Sequence, residues 1–167
     1  MRGRVATFKI PRMSNIGPMV ASLLIGAGCA VALAAPKPPA VPAELNVTVA
    51  PTAVSPGDRA RVTVRLDPID GVQINRYPRI TLKIPARDGL VPATETTVGN
   101  ASPPTPGTVE TNYFDTVDPL RLDLQVEPSA PRGKHKLSGN LTYFYCIKAS
   151  GFCAPKKTSV EIPLNVR

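Results

Sequence analysis

Leu137-Ser-Gly-Asn-Leu141-Thr-Tyr143-Phe-Tyr145-Cys146-Ile-Lys-Ala-Ser-Gly151-Phe-Cys153-Ala-Pro155 sets Leu137, Gly139, Leu141, Tyr143 and Tyr145 at every second position, then turns through a glycine. A period of two marks a strand with one buried face, because successive side chains of an extended chain point to opposite sides. The second strand follows the turn, with Val160, Ile162, Leu164 and Val166 on its apolar face. Two cysteines therefore stand across a glycine-bearing turn between two strands.

Working outward, the same alternation recurs at Leu45, Val47 and Val49, at Val62, Val64 and Leu66, at Ile80, Leu82 and Ile84, and at Leu120, Leu122, Leu124 and Val126. The runs are separated by Ser55-Pro-Gly-Asp58, Asp67-Pro-Ile-Asp-Gly71, Arg87-Asp-Gly89 and Pro131-Arg-Gly133, where proline fixes its own φ and glycine accepts a positive one. Six or seven such strands with no amphipathic helix between them predict an all-β chain, an immunoglobulin-like antiparallel β-sandwich. The lack of tryptophan and the close cysteine spacing predict a local disulfide rather than one that bridges two sheets.

Residues 1–34 read as an export signal. Arg2, Arg4, Lys9 and Arg12 precede the apolar run from Met19 to Ala35, and Ala32-Leu-Ala34 has the small-residue pattern that a signal peptidase accepts. Cleavage after Ala34 is expected, which leaves a periplasmic or secreted protein. The rival readings are a membrane anchor, which roughly 17 apolar residues barely supply, and a lipoprotein signal acylated at Cys29. Against the second, Gly26 stands where a leucine-like residue is required. Residues 35–43 form a proline-rich linker, and 44–167 make a single domain with one core.

The leader holds four of the 20 basic residues and none of the 12 acids, so the processed chain carries +4 rather than +8. The remaining Lys and Arg are interspersed with acids, which does not indicate a nucleic-acid partner. Cys29 also departs with the leader. The pair left, Cys146 and Cys153, implies one disulfide in an exported protein. His135 is the only histidine and sits between Lys134 and Lys136, so neither a metal centre nor a Ser-His-Asp set assembles from these residues; no metal and no cofactor are expected.

Thr142-Tyr143, Cys146, Gly151-Phe152-Cys153, Pro155 and the closing Pro163-Leu164 resemble the signature of the periplasmic N-terminal domain of the thiol:disulfide interchange protein DsbD, a disulfide bond corrector-like domain. The close match covers about 25 residues; further upstream, Asp70-Gly71 and Val72-Gln-Ile-Asn75 are similar to that family's early strands. What the resemblance implies is an immunoglobulin-like domain whose Cys146 and Cys153 alternate between dithiol and disulfide. It would pass reducing equivalents from a separate membrane electron donor to thioredoxin-like or disulfide-isomerase proteins, with Cys146 as the partner-linked sulfur.

The resemblance also implies a cap loop over the disulfide. The segment from Val98 to Phe114 is the candidate, with Tyr113 or Phe114 as the shield and Glu110 or Asp115 as a neighbouring acid. Tyr143, Tyr145 and Phe152 are candidate pocket walls, with core packing as their other reading. Lys148, Lys156 and Lys157 are candidate cations for lowering a thiol pKa, or else solvated loop charges. This chain departs from the family pattern by placing six residues between its cysteines rather than five. The alternative reading is a non-catalytic immunoglobulin-like binding or assembly module with a structural disulfide, binding through a free edge at Glu44 to Ala50 or Val160 to Arg167.

Overall fold

The alternating runs become strands whose apolar side chains turn toward one another across two sheets. A computed structural model describes residues 39–108 and 112–167; the leader, the first part of the linker and Glu110 lie outside the described residues. Eight strands follow in order: β1 (Ala43–Ala50), β2 (Arg59–Pro68), β3 (Val72–Ile74), β4 (Ile80–Ile84), β5 (Thr94–Val98), β6 (Leu120–Gln125), β7 (Gly133–Ile147) and β8 (Cys153–Val166). One sheet has the order β1-β2-β6. In the other, β7 pairs β8 on one side and both β3 and β4 on the other, with β5 beyond β4. The strand pairings are antiparallel.

This is an all-β antiparallel sandwich. Val62, Val64, Leu66, Leu120 and Leu124 of the first sheet are buried together with Ile80, Leu82, Ile84, Leu141, Tyr143, Ile162 and Leu164 of the second. Each such side chain contributes on the order of 1.5–3 kcal/mol by leaving water, and these inner faces hold the layers together. On the solvent side of the first sheet, Arg61 stands opposite Asp123 in register. Arg61 Nε donates to Asp123 Oδ1 at 2.9 Å and Nη2 to Oδ2 at 3.3 Å. This hydrogen bond holds the Asp123 carboxyl below the usual carboxylate range.

Two strands were not legible from periodicity. β3 is only three residues long. β5, Thr-Glu-Thr-Thr-Val, is a polar edge strand with no fully buried residue, so it carries no apolar alternation to read.

Two features of the second sheet position the site. The first is an excursion between β3 and β4. Asn75 donates its N–H to the Phe144 carbonyl at 3.0 Å, and Thr81 is the partner of Thr142, so Arg76 to Ile80 stand against Tyr143 alone. The surplus residues leave the sheet as a protrusion, with a cis bond between Tyr77 and Pro78.

The second feature is the hydrogen-bond phase of β8. Ile147 donates to the Phe152 carbonyl at 2.8 Å, while the Asn165 carbonyl accepts from Val54 at 2.9 Å on the far side of the strand. Residue 152 therefore faces β7, and odd-numbered residues of β8 turn their backbone groups away from it. Pro155 and Pro163 occupy odd positions, where the missing N–H removes no bond from the β7 ladder.

Candidate functional site

The β7–β8 hairpin ends in the four residues Lys148 to Gly151, closed by the Ile147–Phe152 hydrogen bond. Gly151 takes φ 66°, in the left-handed region where a side chain is disfavoured. One step further in, Cys146 and Cys153 are direct cross-strand partners. They are joined as a disulfide with Cα atoms 4.1 Å apart. A pair that exchanges no backbone hydrogen bonds brings its Cα atoms to about 4.5 Å, which places both Sγ atoms within bonding reach. The six residues between the cysteines are thus four loop residues plus the closing pair.

The two sulfurs have unequal surroundings. Odd residues of β7 face the core, so Cys146 projects from the outer face, where Lys134, Lys136, Ser138 and Asn140 are exposed. Cys146 is nevertheless only 4% exposed. Its cover comes from two other segments: Tyr113 Oη donates to Cys146 Sγ at 3.6 Å, and Asn75 Oδ1 lies 3.5 Å from the same sulfur. Cys153, by contrast, is exposed, as is Phe152 beside it at 42%. Cys146, the sulfur that the resemblance makes partner-linked, is thus the covered one of the two.

Tyr113 is held over the sulfur by the β3–β4 protrusion. It forms an isolated antiparallel bridge with Asn75, and Phe114 donates its N–H to the Ile74 carbonyl at 3.0 Å. Arg76 Nε donates to the Tyr113 carbonyl at 2.9 Å, and its guanidinium lies 4.9 Å from the centre of the Phe114 ring, an attractive cation–π geometry. Asn112 is the anchor. Its Oδ1 accepts from the Tyr77 N–H at 2.9 Å, and its Nδ2 donates to the Tyr77 carbonyl at 2.9 Å. It is 7% exposed and is the buried polar side chain among the described residues, so both bonds are made away from water.

Gly99 closes the platform from the other side. Its φ is 114°, and a Cβ there would collide with the Arg76 carbonyl, which accepts the Asn100 N–H at 2.7 Å.

The candidate residues thus divide. Tyr113 reaches the disulfide; Phe114 packs on the core margin beneath Arg76. Asp115 lies 3.9 Å from Arg76. Tyr143 and Tyr145 are buried on the core face, the opposite side of the sheet from Cys146, which is their packing reading. Burial, and secondarily the neighbouring Tyr145, pushes the Tyr143 phenol up to about 12. Lys148 and Lys157 are exposed, and Lys156 Nζ donates to the Ala40 carbonyl at 2.7 Å. Asn75, Arg76 and Asn112 were not singled out by sequence, since each lies in an aperiodic stretch and acts through a contact with a distant segment.

No protein-family model matches this chain, and no curated protein does. What the site can do therefore rests on its own geometry. Among the described residues, no three His, Cys, Asp or Glu side chains gather as a metal site, and no helix is long and apolar enough to cross a membrane.

Chemically, the site is a disulfide with one sulfur open to an incoming thiolate and the other held beside a hydroxyl donor. A thiolate attacks along the S–S axis and expels the distal sulfur. Approach from solvent meets Cys153, and Cys146 leaves.

Proposed function

We propose that this chain is an exported thiol-disulfide exchange domain that carries electron pairs through Cys146 and Cys153, as its resemblance to the N-terminal domain of DsbD implies. The observation that carries the reading is the unequal exposure of the two sulfurs, with Tyr113 Oη donating to the buried one.

A donor thiolate bonds to Cys153 Sγ, and the Cys146–Cys153 bond breaks. The electron pair of that bond stays on Cys146 Sγ as a thiolate, which accepts the Tyr113 hydrogen bond. The second thiolate of the donor then displaces Cys153 from the mixed disulfide, leaving the donor oxidised and this domain a dithiol. Delivery runs the same steps backward: the Cys153 thiolate opens an acceptor disulfide, and the Cys146 thiolate displaces the acceptor from Cys153. Thioredoxin-like or disulfide-isomerase proteins fit as acceptors, with a separate membrane protein as electron donor.

A second reading is favoured by the direct cross-strand position of the bridge in the longest hairpin. There it acts as a staple in a binding module, stabilising by about 2.5 kcal/mol through loop entropy. Equilibration in glutathione buffers separates the two. Exchange predicts a potential above about −300 mV and a mixed disulfide through Cys153 in Cys146→Ser. A lower potential with no trapped complex leaves the staple.

A further inference from the structure

We infer that the free edge of β8 between Pro155 and Pro163 docks a second copy of this chain, strand against strand, antiparallel about Ser159. The inference does not rest on the redox reading. The hydrogen-bond phase of β8 turns the N–H and C=O of Lys157, Ser159 and Glu161 away from β7, and β8 has β7 as its strand partner. Among the described residues, no other backbone group bonds to these three. The edge is closed at its far end, where Val54 bridges Val166. The prolines close it at 155 and 163, since neither has an N–H to donate.

The sequence within this window is complementary to itself. Reading Pro155-Lys156-Lys157-Thr158-Ser159-Val160-Glu161-Ile162-Pro163 against its own reverse centres Ser159 on Ser159. Lys157 then falls opposite Glu161 of the other copy, twice over. Pro155 falls opposite Pro163, so the positions without a donor face each other and strand no donor of the partner. Each outward-facing residue between them exchanges both backbone bonds with its opposite number, as hydrogen-bonded pairs of an antiparallel ladder do. Lys157 and Glu161 are exposed on the outer face; Glu161 also pairs with Lys136 Nζ of its own chain at 3.1 Å, and opposite charges directly across such a ladder attract. A partner of another sequence has no reason to match this symmetry, so the pattern selects a second copy.

The two-fold sends the two β7–β8 hairpin tips in opposite directions. Cys153 lies outside the paired window in each copy, so the sites stay open.

The test is sedimentation velocity and native mass spectrometry of the purified chain, with amide exchange read residue by residue. Dimers that build up with concentration, and slowed exchange at Lys157, Ser159 and Glu161 over the same range, support the inference. Ser159→Pro removes a donor that the β7 ladder does not use, so the fold should persist while association weakens by at least about tenfold. Lys157→Glu and Glu161→Lys, each repulsive with itself, should associate with each other when mixed. A chain that stays monomeric at about 1 mM, a dimer undiminished by Ser159→Pro, or a mixture no tighter than its components would overturn the inference.

Discussion

Tyr113 and Cys146 stand 33 residues apart in sequence, yet the phenol donates to the sulfur at 3.6 Å. The contact exists because Arg76 to Arg79, between β3 and β4, leave the sheet and give the Tyr113 segment a ledge to bond to. The phenol addresses the buried sulfur of the pair, Cys146, rather than the exposed Cys153.

Tyr113→Phe removes that donor and keeps the ring. A hydrogen bond to an ionised group is worth about 1.5–3 kcal/mol, and this one favours the thiolate. The Cys146 thiol of the reduced protein should therefore ionise less readily, and its alkylation profile should move to higher pH. The pH dependence of Cys146 alkylation, followed by mass spectrometry, measures it; an unchanged profile would remove Tyr113 from the chemistry.

Asn112→Ala leaves the Tyr77 N–H and carbonyl without their side-chain partner beneath the ledge. Unsatisfied buried groups cost about 1–3 kcal/mol, and denaturant titration should show a loss of that size. Reduction of the disulfide by dithiothreitol should also quicken, because Tyr113 no longer sits firmly over Cys146. A loss of stability with unchanged reduction kinetics would mean that Asn112 supports the fold alone.

Gly99→Ala places a methyl group against the Arg76 carbonyl at a φ that only glycine adopts freely. The backbone conformation alone costs about 1–3 kcal/mol. The expected result is a lower melting temperature, whereas Gly107→Ala, with the same sign of φ and open space around it, should lower it less. Equal losses at both positions would exclude the contact with Arg76 as the cause.

Raising the pH should unfold the protein through Tyr143. Its phenol is neutral when protonated, and burial lifts its pKa in the folded state to about 12 from the ordinary tyrosine value of 10.0. The folded state thus holds this proton more tightly than the unfolded state. The resulting stabilisation is complete below pH 10 and disappears as pH rises toward 12. Melting temperature should fall across that window in the native chain and less steeply in Tyr143→Phe. Parallel curves for the two would assign alkaline unfolding to other groups.

The strands that form the core were open to reading in one dimension. Val62, Val64 and Leu66, or Leu137, Leu141 and Tyr143, reveal their common face because side-chain direction in an extended chain depends only on the parity of position. The hairpin and its cysteine pair were legible for the same reason, since a short loop holds its two flanks in register. Parity failed at β5, where an edge strand of threonines buries little, and it could not show which sheet each strand would join.

Strand alternation, the turn residues and the cysteine spacing determined by themselves an all-β chain with a disulfide at a hairpin end, because these are local properties of an extended backbone. Only the tertiary structure decided that Cys146 is covered and Cys153 open, that Tyr113 rather than Phe114 meets the sulfur, and that Asn112 holds the ledge beneath. Each of these depends on segments far apart in sequence arriving at the same place. Such meetings are set by how two sheets pack and where a protrusion leaves them, and no periodicity along the chain records that.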